Sequence, residues 1–239
     1  MIRSMRYAIY FTPPAGERLS HLAARWLGRN AFTDAAIEAR AAGPLSAADV
    51  AHYTAAPRRY GFHATLKAPF ELAPDFSEGD LLRAIMEFCG ALEPVVLPRL
   101  RVARIAPFFA LTPSAASPGL DALAIRVVRD FDRFRAPLSE ADIERRNPDR
   151  LTRPQLANLY RWGYPYVGEE FRFHMTLTGP VESKDAPKVE AVLNDMFAQS
   201  LSEPLAIGSI ALFVEATPGA PFVVHSLHPL GGMAVRKSA

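Results

Sequence analysis

One cysteine, Cys89, stands in 239 residues. A disulfide framework and a zinc site built from cysteines are therefore excluded, and a reducing compartment fits. No run approaches the roughly 20 apolar residues of a membrane span. The apolar stretch from Tyr7 to Phe11 is too short for a signal-peptide core and stops at Pro13 and Pro14. Excess charge of one sign is also missing: 27 Lys and Arg face 25 Asp and Glu, a net charge of +2. Overall charge therefore does not argue for a nucleic-acid or membrane surface. The chain has no Gly-rich phosphate loop, no Gly-x-Ser-x-Gly elbow and no dinucleotide fingerprint. His21, His52, His225 and His228 do not fall at metal-ligand spacing. A soluble, cytoplasmic, monomeric protein without metal, cofactor or membrane partner is the expectation.

What is present is a globular pattern. Apolar residues make up 49% of the chain and there are 15 Phe, which excludes a disordered protein. The 21 prolines punctuate periodic segments. Strands are predicted at 7–11, 62–68, 99–105, 108–112, 171–178, 205–215 and 221–227. Helices are predicted at 16–28, 46–57, 77–92, 118–134 and 185–201, where apolar residues recur every three or four positions. Residues 135–168 are polar and rich in Arg, Pro and Tyr. A shift of 111 residues lays His63 on His174 and Leu81 on Val192, so strand, helix, strand, strand occurs twice, at about 62–112 and 173–227. An α+β fold follows: two similar lobes related by a pseudo-twofold, each an antiparallel sheet with helices on its outer face, and a cleft between them.

Phe62-His63-Ala64-Thr65-Leu66 and Phe173-His174-Met175-Thr176-Leu177 carry the chemistry. Given 6 His and 9 Thr, one His-x-Thr is expected about 0.2 times by chance, and matched flanks make two rarer still. On a strand, residues i and i+2 share a face. His63 and Thr65 therefore share one, His174 and Thr176 another, and the intervening apolar residues face the core. Histidine accepts or donates a proton near neutral pH, and a threonine hydroxyl can donate to a phosphate oxygen. Which imidazole is acid and which is base stays open.

The paired motifs resemble those of the 2H phosphoesterase superfamily. The longer strings Pro57 to Phe70, Trp162 to Pro165 and Phe171 to Gly179 look like its branch associated with phosphonate metabolism. That resemblance implies a bilobal fold, an active cleft between lobes and no metal. It implies a phosphodiesterase hydrolysing a small phosphate ester, in one form a cyclic phosphate, of a sugar or nucleotide. His63 and His174 would move protons, and Thr65 and Thr176 would hold phosphate oxygens. The competing expectations are a protein that binds RNA ends or nucleotides without turnover, and an RNA-end ligase.

Neighbouring residues extend the candidate site. Tyr60 flanks the first motif. By strand parity Lys67 joins the face of Thr65, while Arg172 and Thr178 join that of His174. Arg58 and Arg59 add charge before the first motif. The basic stretch from Glu144 to Arg153, followed by Gln155, Tyr160, Arg161, Trp162, Tyr164 and Tyr166, combines guanidinium groups with aromatic rings, which suits a loop over the cleft; Arg153 and Tyr164 are its candidate substrate contacts.

Overall fold

The computed structural model describes residues 5–231. Nine strands and seven α-helices follow one another as β1 (Arg6–Phe11), α1 (Arg18–Leu27), α2 (Ala47–Arg58), β2 (Ala64–Glu71), α3 (Glu78–Gly90), β3 (Val95–Leu97), β4 (Leu100–Ile105), β5 (Phe108–Pro113), α4 (Pro118–Phe131), α5 (Glu140–Glu144), α6 (Arg153–Trp162), β6 (Met175–Thr176), α7 (Ala186–Phe197), β7 (Leu205–Ile207), β8 (Ser209–Glu215) and β9 (Val223–Pro229). Local chemistry sets several helix starts. Ser46 with Asp49, Ser77 with Asp80, Ser139 with Asp142 and Thr152 with Gln155 close reciprocal capping boxes on α2, α3, α5 and α6. Each box satisfies backbone N–H groups that the first helical turn leaves unpaired.

The α+β class and the antiparallel pairing match expectation. The strands expected for two lobes are joined edge to edge into one seven-stranded sheet, β4-β5-β6-β2-β1-β8-β9, with β3 and β7 pairing separately. The join lies between the two motifs, where Ala64 of β2 pairs with Met175 of β6. The hairpin that follows the first motif, β4–β5, flanks the strand of the second motif. The hairpin that follows the second motif, β8–β9, pairs with β1, the neighbour of the first motif's strand.

Burial divides the sheet faces. Ile9, Phe11, Ala64, Leu66, Leu111, Met175, Leu212 and Val214 join the apolar faces of α1, α3, α4 and α7 in the main core. Ala8, Tyr10, Ala211 and Phe213 point the other way and gather with Ala31 and Phe222 in a smaller cluster, against which Tyr60 packs. Cys89 is a buried filler of α3, and burial pushes its thiol up to about 12. Among the described residues no helix is long and apolar enough to cross a membrane.

Three segments differ from the pattern read along the chain. Gly208 interrupts 205–215, separating β7 from β8. The second motif contributes only two ladder residues, because 171–174 takes no part in the ladder. The polar stretch 135–168 contains α5 and α6; capping boxes start both, and the left-handed Gly163 (φ 73°) stops α6.

Candidate functional site

The pairing of Ala64 with Met175 decides the geometry. Continued one residue each way, that antiparallel register sets His63 opposite Thr176 and Thr65 opposite His174. Their side chains share the face opposite Ala64 and Met175, which are fully buried. Directly opposed residues hold their Cβ atoms about 5 Å apart. Two motifs 111 positions apart thus make one four-cornered patch, with all four side chains half-buried.

Both imidazoles are held alike. His63 Nδ1 lies 3.0 Å from the Gly61 carbonyl oxygen, and His174 Nδ1 lies 2.8 Å from that of Arg172. A carbonyl can only accept, so each Nδ1 carries the hydrogen, and in a neutral ring the lone pair is then on Nε2. Thr65 Oγ1 lies 3.4 Å from His63 Nε2 and donates to it. The Tyr10 ring stacks on the His63 ring at 3.9 Å and 24°. Phe213 and Tyr60 stand 6.0 and 6.2 Å from His63. This apolar enclosure disfavours the imidazolium and lowers the His63 pKa to about 4; the Gly61 bond opposes the shift and His174 adds to it. His63 is therefore neutral at physiological pH, with its Nε2 lone pair facing the Thr65 hydroxyl.

The loop before His63 is built to fix that ring. Gly61 has φ +73°, and a Cβ there would stand 2.5 Å from the Ala31 Cβ, so no other residue fits without movement. The buried Arg29 guanidinium donates to the carbonyls of Arg58, Arg59 and Phe222 and pairs with Asp34. Thr12 Oγ1 donates to the Phe62 carbonyl at 2.8 Å. Arg58 bonds the Leu27 and Ala51 carbonyls, and Arg59 pairs with the buried Glu215, which Arg6 also holds. Arg58 and Arg59 therefore stitch the scaffold.

Of the other residues singled out in the sequence, Tyr60 comes to the imidazole face. Tyr60 packs on Phe222 with ring centroids 5.4 Å apart. Tyr164 is half-buried, and burial raises its hydroxyl pKa, with Arg146 opposing and Tyr166 and Tyr60 adding. Arg172 is exposed and serves His174 through its backbone carbonyl. Arg153 is exposed at the start of α6. Thr178 is buried, its hydroxyl accepting from the Phe109 N–H at 2.9 Å.

Lys67 goes elsewhere. Tyr10 pairs with Thr65, but Ile9 pairs with Lys67, so the ladder skips Leu66. This β-bulge breaks the two-residue alternation. It sets Lys67 opposite a residue of the main core, where its Nζ meets Asp132 at 3.0 Å and lies over the Phe70 ring. Arg135 holds the same carboxylate at 2.9 Å.

The sequence singles out neither Tyr10 nor Arg146. Tyr10 looks like any aromatic in a short strand; only its pairing with Thr65 shows that it flanks the motif. Arg146 lies in the Arg-rich stretch, and nothing in the sequence distinguishes it from Arg145 or Arg150. In the fold its guanidinium lies 5.1 Å over the Tyr164 ring.

A family model described as "Protein of unknown function (DUF1045)" matches residues 65–223. The chain belongs to this family. It is 38% identical over 237 residues, 98% of its length, to a protein of Janthinobacterium sp. (strain Marseille) named ribose 1,5-bisphosphate phosphokinase PhnN. It is 36% identical over 220 residues, 91% of its length, to a protein of that name from Laribacter hongkongensis (strain HLHK9). The chain spans about half the length of both relatives, 52% and 50%. Among solved structures, the conserved protein of unknown function ATU0111 from Agrobacterium tumefaciens str. C58 aligns over 96% of this chain and 86% of its own, at 11% identity and a TM-score of 0.40.

These relatives correct the expected reaction. Both are named as phosphokinases, which move a phosphoryl group between substrates, so the expectation of a phosphodiester hydrolase does not stand. The physical reason lies in the site itself. Paired imidazoles and hydroxyls suit phosphate oxygens and proton transfer, but nothing in that set selects water as the acceptor.

Proposed function

We propose that this chain binds a phosphorylated ribose in the His63–His174 patch and handles protons on its phosphoryl oxygens during a phosphoryl transfer. The observation carrying the reading is the Ala64–Met175 pairing, which puts both imidazoles and both threonine hydroxyls on one face. The ligand class takes support from the relatives, whose name specifies a ribose bisphosphate. The likeness of the motifs to the 2H phosphoesterases supports a phosphate-ester site of this kind, and their phosphonate-associated branch supports a role in phosphonate metabolism.

The division of labour follows from the residues. Phosphoryl transfer depends on positioning and on stabilising charge spread over the phosphoryl oxygens. Thr65 and Thr176 supply hydroxyl donors for those oxygens. His63, kept neutral by its enclosure, accepts a proton at Nε2. His174 offers a second Nε2 across the patch. A nucleoside triphosphate is commonly held by a loop of the Gly-x-x-x-x-Gly-Lys-Ser/Thr type. That string does not occur in these 239 residues. The part proposed for this chain is accordingly the sugar phosphate, not the triphosphate.

The test is calorimetric titration of the chain with ribose 5-phosphate, against ribose as control. The wild type should bind the phosphate and not the free sugar. Thr176→Val should weaken binding roughly tenfold, the effect of losing one hydrogen bond to a charged group. His174→Ala should weaken it similarly. Equal affinity for ribose and its phosphate, or unchanged binding in both variants, would overturn the reading.

A further inference from the structure

A cleft of about 450 Å³ lies between residues 132–143 and helix α6. That volume is within the range of sites that hold small organic molecules. None of His63, Thr65, His174 and Thr176 lines it.

The charges around the cleft do not balance. Asp132 is the one carboxylate that lines it, against Arg133 and Arg135. Lys67, 3% exposed, reaches the same carboxylate from β2 at 3.0 Å. Arg135 holds both oxygens of Asp132, at 2.9 and 3.2 Å, and its other N–H groups donate to the Ala136 and Arg161 carbonyls. Gly163 makes room for this arginine: a Cβ there would stand 2.9 Å from Arg135 Cδ. A buried ammonium and a half-buried guanidinium thus share one negative charge. The surplus positive charge sits where the dielectric is low, and it attracts an anion more strongly than an open surface would.

Arg133 adds the donors. Among the described residues it pairs with no carboxylate, and its guanidinium lies 4.8 Å over the Phe134 ring. Stacking occupies the flat face of the group and leaves its edge N–H donors for a ligand. The opposite lining is apolar. Leu138 and Ile143 are half-buried, and the Tyr160 side chain on α6 is 62% exposed. An apolar wall beside a few convergent cations selects a molecule that has both a body and a negative head.

We propose that this cleft is a second binding site, separate from the His–Thr patch, for a small organic anion with an apolar body. The head meets Arg133 within the positive field of Lys67 and Arg135, and the body lies against Leu138, Ile143 and Tyr160. Carboxylate and phosphate heads both match the guanidinium donors. The proposal stands on the cleft and its charges, and does not depend on what the patch binds.

The experiment titrates benzoate and phenyl phosphate into the protein by calorimetry. Benzyl alcohol serves as a body without charge, and acetate as a charge without body. The wild type should bind at least one of the two aromatic anions with a Kd of about 1 mM or tighter, and about tenfold tighter than either control. The tighter of the two names the head group. Arg133→Gln should weaken that binding about tenfold, and Arg133→Lys should recover part of it. Tyr160→Ala should weaken it about threefold or more. His174→Ala should leave it within about twofold, since His174 does not line the cleft. Thermal melts check that each variant stays folded. Benzyl alcohol binding as tightly as the anions, or no binding of either anion, overturns the site. Affinity that falls in His174→Ala and not in Arg133→Gln puts the anion on the patch and overturns it as well.

Discussion

The neutral state of His63 has a consequence for stability that can be measured without any ligand. The imidazole titrates near 4 in the fold and near 6.5 in the unfolded chain. Between those values the unfolded state binds a proton that the folded state refuses. The stabilisation from keeping His63 neutral is thus fully present above pH 6.5 and is lost as pH falls toward 4. At pH 5 the two values correspond to about 2 kcal/mol; the cleft edge of the ring remains open to water, which trims this to about 1–2 kcal/mol. Urea unfolding at pH 7 and pH 5 should show the wild type losing that much more than His63→Gln. Comparing the two proteins cancels His228, whose pKa burial also lowers. The ring ¹⁵N spectrum should show Nδ1 protonated and Nε2 bare down to about pH 5. Identical pH dependence in the two proteins, or a His63 midpoint at or above 6.5, would refute the enclosure argument.

Two further outcomes test the assignments around the patch. Asp132→Ala leaves Lys67 buried beside Arg135 without its carboxylate and should cost about 3–5 kcal/mol by urea denaturation, whereas Lys67→Met with Asp132→Leu should cost less, because the buried ammonium goes with its partner and only Arg135 loses an ion pair. Thr178→Val deprives the Phe109 N–H of its acceptor, so stability should drop by about 1–3 kcal/mol while ribose 5-phosphate affinity stays unchanged; a selective loss of binding would return Thr178 to the site.

The two motifs were legible because their residues obey strand alternation. Phe62, Ala64 and Leu66, and likewise Phe173, Met175 and Leu177, are buried, while His63, Thr65, His174 and Thr176 are half-open, as the two-residue period requires. Helices α1, α3, α4 and α7 were equally readable from their apolar spacing. Lys67 was misplaced because parity assumes an unbroken ladder, and the bulge at Leu66 depends on the partner strand β1, which local sequence does not encode. Tyr10 was passed over for a related reason: its role comes from the residue beside it across the sheet, fifty-five positions away. The short β3 and β7 show the same dependence, since three residues each make a strand only by pairing with one another.

That dependence also bears on how the site is assembled. The second motif offers two ladder residues, too few to hold a strand by themselves. Met175 and Thr176 are placed by β5, from the segment after the first motif, and by β2, which carries the first motif. The first motif's strand pairs with β1, whose other edge is covered by β8, from the segment after the second motif. Each half of the site therefore has its frame completed by chain belonging to the other half. A ligand held by His63 and Thr65 on one side and His174 and Thr176 on the other is gripped across the β2–β6 seam, where the ladder is shortest. A phosphate that bonds donors from both strands adds contacts where backbone pairing is sparse, and ligand binding of that kind stabilises the folded state in proportion to its occupancy.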